Sequence, residues 1–394
     1  MTQPYAWGSH TAIAELQGRP FPTAEPEAEL WMGAHPSAPS GLVRPEGGTT
    51  LDAVIGADPA GQLGPRCAAR FGGRLPFLLK VLAAGQSLSI QVHPTRAQAE
   101  AGYQSEQRRG LPPGGKSRNY VDDWPKPELL CALTPFEVLA GMRDPADAAA
   151  LLGALDVPGL TPLAAALGRP AGPAALGQAL AAILTWPAGD RAALVESVTA
   201  ACERVAAGGG EYAAACAAAV RLAAEHPGDL GVVGSLLLRH AVLAPGTAVF
   251  MPAGAPHAYL GGTGVELLAN SDNVVRAGLT GKHVDVAELL KLLDPAAPVP
   301  VVEPRPAGAG VCVYDSPAPE FRLYRADPGA AAVTLPGDGG ARIVLCTAGT
   351  AVLRAGRDAV TVGQGGSCYL SAADRAVTAT GPARLFIAAV GDCG

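Results

Sequence analysis

Between Pro252 and Asp285 the chain reads PAGAPHAYLGGTGVELLANSDNVVRAGLTGKHVD. A histidine after a Pro/Gly-rich turn is followed there by a glutamate, an Asp-Asn pair, an arginine and a lysine. Imidazole and carboxylate ligate metals, and arginine and lysine attract anions, so the stretch suggests a metal-assisted site for an anionic substrate. A second cluster lies far upstream, at Gln91-Val92-His93-Pro94. Residues two apart in a strand share a face, so Gln91 and His93 can project together while Val92 points the other way. Pro94 ends the pairing, as at a rim. His257 follows Pro252-Ala253-Gly254-Ala255-Pro256, a stiff turn that can fix its ring near the other two.

A divalent metal needs a further ligand. Glu128 follows Lys126-Pro127 and opens the strand-like run LLCAL, which makes it the best carboxylate on offer. Two imidazoles, one carboxylate and one neutral amide oxygen suit one Zn²⁺ with an open position for water or substrate. Against a single glutamate the ion leaves a site charge of about +1, a strong Lewis acid. Two histidines and a carboxylate are also the triad of an Fe(II) oxygenase, and a single histidine beside such a turn is more often structural than a ligand. His10, His35, His226 and His240 lack such company and are expected to be ordinary surface or core residues.

Lys80 lies in the apolar run PFLLKVLAA, where its burial needs a counter-charge. A substrate phosphate can supply it, with Ser89 adding a hydroxyl; otherwise Lys80 snorkels to water. Arg276 and Lys282 add two further cations, although Lys282 taken alone is more often a surface partner of Asp285. Glu266, in VELL, can face either side of a sheet. Neither a nucleotide cofactor nor serine hydrolysis is expected.

These residues must be positioned by strands. Residues 1–143 are dense in Pro, Gly and short apolar runs, which predicts strands and turns. At Asp144-Pro145 an N-cap leads into ADAAALLGAL. A second helix is expected from Asp190, with Leu194, Val195, Val198, Cys202 and Val205 on one face, and a third from Glu211 to Glu225. Strand character returns at HAVLAPGTAVFMPAGAPHAYL. After residue 300 the runs RIVLC, TAVLRAG, DAVTV, SCYLS and ARLFIAAV suggest a jelly roll or similar sandwich. The expected organisation is a discontinuous catalytic barrel, 1–143 and 241–300, interrupted by a helical domain, 144–240. Residues 301–394 follow as a second β domain without a metal site, since no histidine occurs after His283.

At 394 residues, substantial cores can be buried. The balance of 29 basic to 35 acidic residues, net −6, argues against nucleic acid or a membrane surface as a partner. No apolar run approaches the roughly 20 residues of a membrane span. MTQPYAWGSH has neither the basic nor the apolar region of a signal peptide, so a cytoplasmic location is expected. Eight scattered cysteines, Cys393 the last, read as free thiols in a reducing compartment.

The runs LSIQVHP, KPELL, PAGAPHAYL and SDNVVRAGLTGKHVD resemble the signature of the type I mannose-6-phosphate isomerases, and YAWGS and AELWMGAHPSAPS are similar to that family's opening. The resemblance implies a mainly β fold of two cupin-type jelly-roll barrels with an inserted helical domain. It implies one Zn²⁺ per chain at Gln91, His93, Glu128 and His257, a catalytic Arg276, and Lys80, Ser89 and Lys282 on the substrate phosphate. The implied reaction interconverts mannose 6-phosphate and fructose 6-phosphate, feeding mannose into glycolysis or fructose 6-phosphate into GDP-mannose synthesis. Proton transfer through a cis-enediol(ate) is expected, with Lys126 or Glu266 as the base. The alternatives are the oxygenase and a protein that binds sugar phosphate without turnover. A monomer is expected, a dimer being the other possibility. Two positions depart from the family pattern. Trp124-Pro125 replaces a polar pair and Gly281 a proline, so altered loop stiffness or substrate tolerance is expected.

Overall fold

In a computed structural model of the chain, eleven strands between Thr2 and Val302 pair into one curled antiparallel sheet. All residues are described except 44–46, 113, 116, 170–171, 338 and 393–394. The strands are β1 (Thr2–Gln3), β2 (Glu29–Met32), β3 (Phe77–Ala84), β4 (Ile90–Val92), β5 (Glu128–Ala132), β6 (Phe136–Met142), β7 (Leu238–Leu243), β8 (Ala248–Met251), β9 (His257–Ala269), β10 (Val275–Gly278) and β11 (Val301–Val302). The main order is β1-β2-β3-β9-β5-β8-β11.

Strand β9 joins two walls. From Gly262 to Ala269 it pairs with β3, and from Gly264 to Leu268 with β5. Its first residues pair with β6, and His257 with Gln91 of β4. The register shifts between Tyr259 and Gly261, and the strand bends at this bulge. Gly262 is required there. Its φ is +119°, and a Cβ would stand 2.7 Å from the Pro135 carbonyl oxygen. Strand β10 pairs with β4, and β7 with β6, completing the second wall.

Burial on both faces explains the near-continuous apolar character of β3 and β5. Phe77, Leu79 and Val81 pack in one core with Tyr314, Phe321 and Phe386 of the C-terminal residues. That C-terminal part is a nine-stranded sheet built around the strand Arg342–Ala355.

The helical region contains α1 (Pro145–Leu155), α2 (Thr161–Leu167), α3 (Ala174–Leu184), α4 (Arg191–Gly208), α5 (Ala213–Glu225) and α6 (Gly231–Ser235). It covers the outer side of β4, β6, β9 and β10 through Ile90, Val92, Leu139, Ala258 and Val275. Asp144 caps α1 by accepting from Ala146 N at 2.8 Å. Asp190 makes no such cap, because a 3₁₀ turn, Ala188–Asp190, precedes α4. Helix α5 starts two residues later than Glu211. Helices α2 and α3 were not expected from the sequence. Pro162 and Pro173 look like breaks, but they sit at helix starts, where proline is tolerated. The chain is thus mainly β with a helical region, as expected. Cys131, Cys202, Cys216, Cys312, Cys346 and Cys368 are free thiols, and Cys393 lies outside the described residues.

Candidate metal centre and active-site cleft

Three candidate ligands meet where strands begin or end. Glu128 opens β5, His257 opens β9 and His93 follows β4. Pro125 and Pro127 hold the approach to β5 extended. The three offer ligand atoms within 4.8 Å of one another, and all three are buried. His93 Nε2 lies 3.3 Å from Glu128 Oε1, and His257 Nε2 lies 3.2 Å from Glu128 Oε2.

Protonation decides what this arrangement can hold. His93 Nδ1 donates to the Asn273 carbonyl at 2.7 Å, and His257 Nδ1 to the Ala255 carbonyl at 3.0 Å. A carbonyl only accepts, so in each neutral ring the proton is on Nδ1 and a lone pair on Nε2. Burial pushes His93 down to about 4 despite the charge of Glu128. Burial alone would raise Glu128, but above all the charge of Lys126 holds it well below the usual carboxylate range. Two imidazole Nε2 atoms and the two oxygens of an ionised carboxylate thus converge, and His93 Nε2 is buried without a hydrogen-bond partner. Imidazole and carboxylate are the ligands a divalent cation takes, and a buried cluster this tight fits a metal. Gln91 stands opposite both His257 and Arg276 in the strand register and lines the adjoining cleft.

That cleft has a volume of about 470 Å³ and collects Lys80, Ser89, Gln91, Lys126, Glu128, Glu266, Arg276 and Lys282. Every expected site residue apart from the two buried histidines lines it. Lys126 Nζ lies 3.2 Å from Glu128 Oε1. Glu266 faces the cleft side of β9, since Val265 and Leu267 take the core side. It stands in a cross-strand row with Lys80 of β3 and Trp31 of β2.

Lys80 has its counter-charges within the protein. Glu29 Oε1 lies 3.4 Å and Glu266 Oε2 3.5 Å from Nζ, so burial of this lysine does not by itself call for a substrate phosphate. Burial would lower Lys80, but Glu29 and Glu266 raise it well above the usual lysine range. Burial, then the charge of Glu128, pushes Glu266 up to about 7 against the pull of Lys80.

The outer wall differs. Burial lowers Arg276, and burial together with Arg276 lowers Lys282; no carboxylate among the described residues offsets either. The Lys282–Asp285 pair does not form: Asp285 caps a helix through Glu288 N at 2.9 Å and accepts from Asn119 Nδ2 at 3.0 Å.

Several residues here went unremarked in the sequence. Glu29 holds both Lys80 and Trp31 Nε1, the latter at 2.6 Å. A carboxylate inside the apolar strand ELWM was the available signal. Tyr259, two residues beyond His257, also lines the cleft. Burial, then the charges of Glu266 and Glu128, raises its phenol well above the usual range. His226, expected to be ordinary, lines the cleft as well. One sequence feature runs against the expectation of no nucleotide loop: residues 110–117, GLPPGGKS, match the letters of a phosphate-binding loop. They follow the helix Arg96–Arg108, and no helix intervenes before β5 among the described residues. A helix rather than a strand precedes them, and the strand–loop–helix setting that aims backbone N–H groups at phosphate is not found among the described residues.

The curled sheet and the histidine–carboxylate cluster at its mouth define a metal-centred, cupin-like protein. A family model for the phosphomannose isomerase type I catalytic domain matches residues 1–145. Mannose-6-phosphate isomerase of Salmonella typhimurium is 37% identical over 394 residues, covering 97% of this chain and 96% of the relative. The Escherichia coli enzyme of that name is 36% identical over 387 residues, with the same coverage. A crystal structure of a phosphomannose isomerase variant from Salmonella typhimurium superposes with a TM-score of 0.92 at 34% identity, covering 99% of this chain and 97% of the other. A zinc-bound mannose 6-phosphate isomerase structure gives 0.90 at 35%, covering 99% and 98%. This chain belongs to the type I mannose-6-phosphate isomerase family.

Proposed function

We propose that the protein is a zinc-dependent aldose–ketose isomerase that interconverts mannose 6-phosphate and fructose 6-phosphate. The observation that carries this reading is the buried cluster of His93, Glu128 and His257 beside a cleft lined by Glu266, Arg276 and Lys282. His93, Glu128, His257 and Gln91 are the proposed ligands. Zn²⁺ bound there would supply Lewis acidity toward a substrate oxygen.

The remaining chemistry falls to side chains. As a carboxylate, Glu266 removes the C2 proton of open-chain mannose 6-phosphate. The C–H electron pair becomes the C1–C2 double bond of a cis-enediol(ate), and O1 takes up negative charge facing Arg276. Return of that proton to C1, with the O2 proton passing to O1, leaves the C2 carbonyl of fructose 6-phosphate. A carboxylate that takes up and returns one proton suits both transfers. Lys126 is the other candidate base, but its proximity to Glu128 Oε1, 3.2 Å, favours a charge-holding part. Lys282 and Ser89, on the outer wall, hold the phosphate. Lys80 contributes positive charge to the same cleft while holding Glu266.

The free thiols suit a reducing, cytoplasmic setting. No helix among the described residues is long and apolar enough to cross a membrane. The test is a coupled assay with mannose 6-phosphate, before and after chelation and again with added Zn²⁺. Activity lost and restored supports the reading. Oxygen consumption by iron-loaded protein without isomerisation would support the oxygenase instead.

A further inference from the structure

Helix α5 ends in a carboxylate. Glu225 is its last residue, where the helix dipole is negative, and no basic residue in the last turn offsets it. The position is unfavourable for the helix alone, but it makes a contact across to the sheet. Ser87 N donates to Glu225 Oε2 at 3.0 Å, and Ser87 Oγ donates to the same oxygen. His226 Nε2 lies 2.9 Å from Ser87 Oγ. The hydroxyl has one proton, which the carboxylate takes, so His226 Nε2 is the donor in that contact.

The other side of the Ser87 loop hangs on the sheet. Gly85 N and Gln86 N donate to the Trp7 carbonyl at 2.9 and 3.0 Å, and Leu88 N to the Tyr259 carbonyl at 2.8 Å. Ser89 comes next in that loop. Four residues after Glu225, Asp229 grips a second loop. Its Oδ2 accepts from Thr280 N at 2.9 Å, and Thr280 Oγ1 accepts from Lys282 N at 3.0 Å. The approach is close enough that a Cβ on Gly278 would stand 2.6 Å from Gly231 Cα. Ser87, His226 and Thr280 all line the cleft.

We propose that segment 225–229 of the helical region is a positioning element for the substrate phosphate. Glu225 and His226 set the loop bearing Ser89, and Asp229 sets the loop bearing Lys282. The proposal rests on the reading of this cleft as a mannose 6-phosphate site. It assigns the helical region a part in substrate binding, exercised through two loops that it does not itself contain.

The test is steady-state kinetics of the zinc-loaded full chain with mannose 6-phosphate, with inorganic phosphate as a competitive inhibitor. Glu225→Ala is expected to raise KM and the phosphate Ki together by about tenfold while kcat falls less than about threefold. Glu225→Gln, which keeps an acceptor oxygen, recovers most of the loss. In a Ser89→Ala background Glu225→Ala adds little, and in a Lys282→Ala background Asp229→Asn adds little, because each pair acts as a unit. Full additivity in the pairs, or a fall in kcat with KM and Ki unmoved, overturns the proposal. If Asp229→Asn does not fold, the Glu225 pair decides alone. A wild-type chain that fails to isomerise mannose 6-phosphate refutes the functional reading instead, and its outcome is separate from these ratios.

Discussion

Lys80 Nζ stands 3.5 Å from Glu266 Oε2, with both side chains buried, and Glu29 closes the other side of the lysine at 3.4 Å. Burial, then the charge of Glu128, raises the pKa of Glu266; Lys80 pulls it down and Glu29 adds to the rise. A base works ionised, so kcat/KM is expected to rise with pH through that ionisation. Lys80→Met removes the lowering influence and moves the acid limb to higher pH. Glu29→Gln removes a raising influence and moves it to lower pH. Rate profiles of both variants check this, and shifts in the same direction would sink Glu266 as the titrating group. Glu266→Gln should itself lower kcat by about 10²–10⁴-fold.

Asn273 carries the second prediction. Its carbonyl takes the His93 Nδ1 proton, while its side chain accepts from Val121 N at 2.7 Å and donates to the Asp122 and Trp124 carbonyls at 2.8 Å each. Trp124, one of the departures from the family pattern, thus belongs to the support behind a ligand. Asn273→Ala should lower stability by about 2–4 kcal/mol, because buried partners lose their bonds. It should weaken zinc binding by about 10–100-fold through the loosened His93 ring. Chelator competition measures the second effect apart from the first. Unchanged affinity in folded protein would refute the support role.

Lys282 and Arg276 line the cleft, and no carboxylate among the described residues offsets their burial. A charge-assisted bond to phosphate contributes about 1.5–3 kcal/mol, so Lys282→Ala should raise KM by about 10–100-fold. The phosphate Ki should follow, and both should weaken with salt. A KM that stays put would remove Lys282 from the phosphate site.

The legible residues were those whose type is costly or unusual where it stands. His93, Glu128 and His257 could be named because imidazole and carboxylate beside prolines at strand ends have few other uses, and the structure brings them within 4.8 Å. Strands such as FLLKVLAA could be read because burial on both faces makes them apolar throughout. Glu29, Tyr259 and Asn273 escaped because their partners are far away in sequence. Lys80 and Glu29, for example, are 51 residues apart. Cross-strand register decides such contacts, and no local pattern encodes it. His226 escaped for the same reason, since Ser87 lies 139 residues upstream.

Gly281, the second departure, supplies the last prediction. A Cβ there meets no atom within 4 Å, and its φ is outside the left-handed region. Glycine therefore serves no conformational need at 281 and leaves the unfolded chain more freedom to lose. Gly281→Ala should stabilise the protein by about 0.4–1 kcal/mol, read as a higher urea midpoint at constant slope. The stiffer loop should also hold Lys282 more firmly and lower KM. Gly278, three residues earlier, is the opposite case: its φ is +135°, and a Cβ would stand 2.6 Å from Gly231 Cα. Gly278→Ala should cost about 1–3 kcal/mol and raise KM, because the Lys282 loop is pushed off the helical region. Equal effects of the two alanines would mean that the loop is not held in the way these contacts describe.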